Sequence, residues 1–340
     1  MVEGRSTMST HASNRPLDVE LRRRIDELSA EFATTEEGRN VSDFWQRIVR
    51  EHLELLDSEG FERFKQTLNF KYSQWCVTAL VDRKFWRMQR THLASLGVPS
   101  RWLESHYGPN PKPPRWPIPV PGAATVYKIF VSSLWDYAEK NDKLGVLSRV
   151  KEASLGSPIP LYRGSQLLSQ DLALSSLEIN RLAEFVDFSS IRSVLEIGGG
   201  YGRLAYVFRS LLPNVEYHIV DIPPTLAISE HYLTTLFGTD GLHFHLPAAL
   251  KGLPSRHFDL VLNVSSFDEM KASQAHAYLA AFAEKGRGIA YLKGHGKRKR
   301  ATGRRGILEF DYPSEWVELY RGGDPFQRTF NELVFRISGK

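Results

Sequence analysis

The chain is poorest in cysteine, with Cys76 alone among 340 residues. No internal disulfide can form, and a reducing, cytoplasmic setting is the simple expectation. It also lacks an apolar run long enough to cross a bilayer, and its first residues, M-V-E-G-R-S-T-M-S-T-H, have no apolar core of the kind a secretory signal needs. No membrane is therefore expected among its partners. Strong charge of one sign is missing too. A net charge of +5 is modest, and much of the excess falls between Lys293 and Arg305, where seven Lys or Arg stand with no acid. A basic loop of that kind suits a phosphate-bearing partner better than a nucleic acid, which would call for a basic surface throughout. No periodic repeat is evident.

Glycine is concentrated where it counts. Residues Ser193 to Arg203 read S-V-L-E-I-G-G-G-Y-G-R. Val194, Leu195 and Ile197 look like a buried parallel strand that stops at Gly198, and Leu204, Ala205, Val207, Phe208 and Leu211 then recur at helical spacing. A strand, a glycine turn and a helix in that order let backbone N–H groups approach a ligand closely. The glycines at 198, 200 and 202 are spaced G-x-G-x-G, and Glu196 precedes them, unlike the dinucleotide spacing G-x-G-x-x-G. An acid there suits a cationic amino-acid ligand and repels a pyrophosphate. On the residues alone, a nucleotide of another kind or a turn that binds nothing stays open.

Around that centre the pattern alternates between strands and helices. Strands are expected at 215–220, 242–246, 258–264 and 289–292, with helices at 225–237 and 270–282 between them. Trp316 to Tyr320 and Glu332 to Ile337 pair as a closing antiparallel hairpin. Asp221, at the end of the second strand and 19 residues beyond Gly202, is placed to accept hydrogen bonds from both ribose hydroxyls of a nucleoside. Ile222 follows it. Asp259 is expected to be structural. His243 and His245 alternate on one strand, but no third ligand lies close in sequence, so no metal is assigned there. Asp268 with Glu269 likewise lacks a third acid at matching spacing.

Before this unit, residues 1–15 are polar and expected to be disordered. Helices are expected over 17–32, 41–56, 61–70, 75–96, 125–139 and 144–150. The stretch Gly108 to Pro121 holds seven prolines with Trp116 among them and is read as an ordered, irregular segment. Pro158 to Gly164 is expected to be an extended crossing, and Ser175 with Glu178 has capping-box spacing for the helix ending near Phe185. The division is a helical N-terminal domain over 16–157, for substrate, lid or oligomerisation, and a ligand-binding domain over 158–340. A second copy of the chain, as a homodimer, is the protein partner to look for.

Glu196 to Gly202 resembles motif I of the class I S-adenosylmethionine-dependent methyltransferases, and residues 164–337 resemble the sugar O-methyltransferases of bacterial carbohydrate and natural-product pathways. The string N-V-S-S-F-D-E-M, Asn263 to Met270, is similar to that family's segment after the fourth strand. The resemblance implies a Rossmann-like α/β fold with a mostly parallel seven-stranded sheet. It implies S-adenosylmethionine as cofactor, held by Glu196, Gly198, Gly200, Gly202, Asp221, Ile222, Leu246, Asn263, Ser265 and Gln166, with Ser169 and Gln170 near the pocket.

Methyl transfer to a hydroxyl needs a group to take its proton. His295 is the first choice as general base, since it is expected just past the fifth strand between two loosening glycines and an imidazole titrates near neutrality. Asp268 and Glu269 are the alternatives, or could orient the ring. Lys297, Arg298, Arg300, Arg304 and Arg305 are candidates to clasp the phosphates of a nucleotide-sugar; a nucleic-acid backbone, or a plain solvated surface loop, is the alternative reading of the same charges. A small-molecule N- or C-methyltransferase, or an RNA methyltransferase, is the alternative function.

Overall fold

Leu21, Ile25 and Leu28 recur on one stripe, and in the computed structural model they are the buried residues of helix α1 (Val19–Thr34). The structure describes residues 19–39, 41, 43–67, 123–297, 304–327 and 329–337. The expected tail at 1–15, the helix at 75–96 and the proline-rich stretch lie outside them. A short helix α2 (Glu36–Arg39) and helix α3 (Asp43–Glu59) follow. Gly60 then turns the chain at φ +75° into a single 3-10 turn, Phe61–Arg63, where a longer helix was expected. Helix α1 packs on the later domain and is tied to it by Arg24 and Glu230 at 2.8 Å.

Helix α4 (Ala123–Asn141) is apolar on most of its surface, and its Trp135 is fully buried, with the indole N–H donating to the Ser169 carbonyl at 2.7 Å. After α5 (Val146–Arg149) comes a two-stranded hairpin, β1 (Tyr162–Arg163) and β2 (Gln166–Leu167), turning at Gly164 with φ +61°. The expected extended crossing is thus folded back on itself. Helix α6 (Gln170–Leu182) is capped by Ser169, whose hydroxyl accepts from the Leu172 N–H at 3.1 Å. The capping-box reading of Ser175 and Glu178 is corrected: both are buried in mid-helix and face Arg203.

The domain that follows alternates as its apolar pattern requires. Its elements are β3 (Ser193–Ile197), α7 (Arg203–Leu211), β4 (Glu216–Val220), α8 (Thr225–Phe237), β5 (Leu242–His245), β6 (Phe258–Val264), α9 (Ala272–Lys285), β7 (Gly286–His295), β8 (Val317–Gly323) and β9 (Phe330–Arg336). They form one seven-stranded sheet in the order β5-β4-β3-β6-β7-β9-β8. The first five strands run parallel, and the last two are antiparallel. This is the expected Rossmann-like α/β architecture with its closing hairpin. Leu195, Val261, Ala290 and Leu292 pack with Leu279 and Phe282 of α9 on one face. Val194, Tyr217, Ile219 and Leu260 bury the other face in the core shared with α6, α7 and α8. Because β4 lies to one side of β3 and β6 to the other, a crevice opens at the carboxyl end of β3.

The helical first part is locked to this domain. Phe64 is fully buried, edge-on to Tyr201 at 5.1 Å and to Tyr232 at 5.7 Å. Next to it, Lys65 and Glu152 form an ion pair with side chains only 3% and 4% exposed, and Lys65 also reaches the Tyr232 hydroxyl at 3.0 Å. Removing one partner of such a pair strands the other in a dry site. Lys65→Ala is therefore expected to lower unfolding free energy by about 3–5 kcal/mol in urea titrations, whereas the neutral pair Lys65→Met with Glu152→Gln recovers most of that loss.

Candidate active site

The glycine turn is shaped by the strand below it and the helix ahead. Gly198 extends the sheet by one bond, donating its N–H to the Val220 carbonyl at 2.8 Å, and adopts φ +76°. A Cβ there would meet the Ser266 hydroxyl at 2.2 Å, so a larger residue is excluded twice over. Gly200 differs. At φ +60° its Cβ direction meets nothing within 4 Å, so the turn presents open space on this side.

Asp221 bridges the two halves of the crevice. Its Oδ2 accepts from the Gly200 N–H at 3.0 Å and its Oδ1 from the Ile222 N–H at 2.7 Å. Each oxygen keeps a second lone pair for a ligand hydroxyl. Loss of hydration pushes the carboxyl up to about 7, against the pull of those two N–H groups. The Asp221 N–H donates to the His245 carbonyl at 3.2 Å, so β5 and the buried Leu246 beyond it are fixed to the same edge of the crevice.

Glu196 sits underneath the turn. Its Oε2 takes the Tyr217 hydroxyl at 2.8 Å and lies 3.2 Å from the Cβ direction of Gly199. It is 2% exposed, and burial raises it to about 7. In this arrangement it supports the glycines from the sheet side.

At the end of β6, Asn263 is fully buried and occupied: its amide nitrogen donates to the Ile197 carbonyl at 2.7 Å and its oxygen accepts from the Phe267 N–H at 3.1 Å. Its expected ligand contact gives way to a bracing role between the two strand ends. Ser265 stands beside it with φ +63°, its N–H on the Lys293 carbonyl at 2.7 Å. A non-glycine residue held in that region at the mouth of a crevice is the kind of strain that binding sites store. Asp268 is buried and Glu269 half-buried on the 3-10 turn Phe267–Glu269 that follows.

His295 is placed differently from the sequence expectation. It is the last residue of a ten-residue strand rather than part of a loop, paired with Phe330 and half-buried with its ring centroid 4.4 Å from that ring. The flanking glycines serve close packing instead of mobility. A Cβ on Gly294 would come within 3.0 Å of Asp268 Oδ1, and one on Gly296 within 2.1 Å of Asn331 Oδ1. Strand alternation also turns His295 and the Asp268 side of Gly294 toward opposite faces of β7.

Two further expectations move. Gln166 donates its amide to the Leu147 carbonyl of α5 at 3.1 Å, which ties the hairpin to the helical part and not to the glycine turn. Ser169 is occupied as the cap of α6 and on Glu152. Of the basic loop, Arg298 and Arg300 lie outside the described residues. Lys297 is exposed, and Arg305 is already 3.5 Å from Asp311.

Sequence reasoning missed a set of paired charges behind the crevice, of which Glu178, Lys293 and Asp324 are buried. Arg203, the first residue of α7, reaches Glu178 at 2.8 Å and Ser175 at 2.6 Å. Glu178 in turn pairs with Lys293 at 3.2 Å, and Lys293 with Asp324 at 2.8 Å. Burial alone would raise Glu178, but Arg203 and Lys293 hold it below the usual range. Lys293 had looked like the first residue of the basic loop; it is 1% exposed. Its position two before the end of β7, with Tyr291 likewise turned inward, was the available signal. A cavity of about 300 Å³ lined by Ile191, Leu211, Pro213 and Val215 sits at the opposite, amino end of β3.

Residues 165–258 match the family described as the O-methyltransferase domain. Among solved structures, the chain is similar to the mitomycin 7-O-methyltransferase MmcR, with 14% identity and a TM-score of 0.38, covering 65% of this chain and 74% of that one. It is similar to the magnesium protoporphyrin IX methyltransferase ChlM from Synechocystis PCC 6803, with 12% identity and a TM-score of 0.37, covering 50% and 83%. It is also similar to the CcbJ methyltransferase from Streptomyces caelestis, with 15% identity and a TM-score of 0.37, covering 48% and 88%. A sequence search of curated proteins finds no match. The strand order, the glycine turn with Asp221 opposite it, and the O-methyltransferase match over that same segment are those of a methyltransferase that uses S-adenosylmethionine.

The protonation of Asp221 gives a testable consequence. Its folded value of about 7 stands above the ordinary 3.8, so the empty protein holds this proton more tightly than the unfolded chain does. Ligand hydroxyls donate to the carboxylate and favour its ionised form. Binding of S-adenosylhomocysteine should accordingly weaken as pH falls through 7, by about tenfold between pH 8 and pH 6. Calorimetric titration at both values checks this, and an unchanged Kd would sink it.

Proposed function

We propose that the chain transfers a methyl group from S-adenosylmethionine to a hydroxyl of a sugar, carried on a nucleotide, a glycosylated natural product or a polysaccharide, and that it does so in the cytoplasm. The observation that carries this reading is the convergence of Gly200, Asp221, Ser265 and His295 on the carboxyl ends of four adjoining parallel strands, β4-β3-β6-β7. The residues present suit such a cofactor. Open space over Gly200 admits a ligand against the backbone, and Asp221 has acceptor capacity for two hydroxyls.

The cofactor supplies a methyl group made electrophilic by its sulfonium. What the chain must add is position and a proton acceptor. With the cofactor bound, His295 would accept the proton of the acceptor hydroxyl as that oxygen takes up the methyl group. Packing on Phe330 restricts how far that ring can turn. Glu269, half-buried on the turn after β6, is the carboxylate suited to orient sugar hydroxyls, whereas Asp268 is buried against Gly294 on the face of β7 opposite His295. Lys297 and Arg304, at the two ends of the basic loop, suit a phosphate on the acceptor.

His295→Ala is expected to lower kcat on the accepted sugar by roughly 10²- to 10⁴-fold while S-adenosylhomocysteine binds as before. A panel of nucleotide-sugars assayed by methyl transfer identifies the substrate. Activity within a few-fold of the parent would move the base elsewhere, and methylation of none of the sugars would overturn the substrate class.

A further inference from the structure

Of the chain's eleven histidines, His218, His243 and His245 share one face of β4 and β5, at the edge away from the proposed base, and His257 lies just before β6. The register of β4 on β5 sets His218 opposite His243 and Val220 opposite His245, and Glu216 shares that face two residues earlier. Glu216 Oε1 is 2.9 Å from His218 Nε2 and 3.6 Å from His243 Nε2. The rings of His218 and His243 lie 4.2 Å apart, centroid to centroid, at 31°. One ligand atom from each of Glu216, His218 and His243 falls within 4.8 Å of the other two. Two more histidines hold this trio from behind: His245 Nε2 is 3.0 Å from His218 Nδ1, and His257 Nε2 is 3.0 Å from Glu216 Oε2.

We infer that Glu216, His218 and His243 form a binding site for a divalent transition-metal ion of the zinc class, oriented by His245 and His257. Two imidazoles and one carboxylate are the donors that zinc, cobalt and nickel favour, whereas magnesium and calcium prefer sites made of oxygens. The contacts behind the trio are of the kind that fix which ring nitrogen is free to ligate. With His218 Nε2 bound to the ion, its proton sits on Nδ1 and is donated to His245 Nε2, which carries its own proton on the other nitrogen. No change in total proton count at these two rings is required. An entry path exists as well: the His243 and Glu216 side chains are 43% and 38% exposed, while His218 is buried at 7%.

Such an ion would clip the short edge strand β5 onto β4. The end of β4 carries Asp221, whose N–H is already bonded to the His245 carbonyl. The site is thus a clamp on the rear of the cofactor edge, independent of which acceptor the crevice takes.

The test uses the full-length chain without a polyhistidine tag, stripped with chelator. Zinc titrated by calorimetry should bind one equivalent at micromolar affinity or tighter and raise Tm, and calcium or magnesium should do neither. His243→Ala and Glu216→Gln should each weaken zinc binding at least tenfold. Because His243 is substantially exposed, its variant is expected to fold, and binding of S-adenosylhomocysteine confirms that independently. Cobalt should give a visible ligand-field spectrum that His243→Ala removes. Absence of stoichiometric zinc binding by the parent, or equally tight binding by either variant, overturns the assignment.

Discussion

The structure depends on a chain of four charges, the part-buried Arg203 and the buried Glu178, Lys293 and Asp324. Each would be costly alone in a dry interior, and each is tolerable because its neighbours are of opposite sign. What matters is where they come from. Arg203 opens the helix after the glycine turn, Glu178 lies in α6, Lys293 near the end of β7, and Asp324 in the loop of the closing hairpin. Four elements distant in sequence are held in one place by this alternation of charge. The cofactor turn lies one residue before its first member, and His295 two residues after its third. The two sides of the proposed reaction centre are thereby positioned by the same network, which penalises any shift of one against the other.

Much of this architecture was legible from local pattern. The run Val194–Ile197 with its glycines, the strand Phe258–Val264 and the helix Thr225–Phe237 appear in the structure with the bounds their periodicity implies. The place of Asp221 beside the glycine turn was legible because it depends only on its distance from the glycines. Other roles were not, because they depend on partners brought in by the sheet. Glu178 has the spacing of a cap, and only the arrival of Arg203 and Lys293 makes it a charged hub. Gly294 and Gly296 look like hinges until Asp268 and Asn331 are seen against them. His243 and His245 have no further donor close in sequence, and only the ladder sets His218 and Glu216 beside them.

The acids of the crevice illustrate a second limit. Glu196 and Asp221 are both held near neutrality by burial, so an acid in this motif is not simply a fixed negative charge. Tyr217 under one and the Gly200 and Ile222 N–H groups on the other show how differently two neighbouring carboxyls are supported. One braces the turn from inside the sheet; the other faces the space where a ligand would lie.

Phe64 has a consequence for how the chain is made. Its ring fills a slot bounded by Tyr201, Tyr232 and Gly156, where even a methyl group on the glycine would strike the ring at 2.2 Å. During synthesis Phe61 and Phe64 leave the ribosome long before Tyr201 and Tyr232 exist. Until that slot is assembled, the nascent chain exposes a greasy hook, and its final closure must await the latter half of translation.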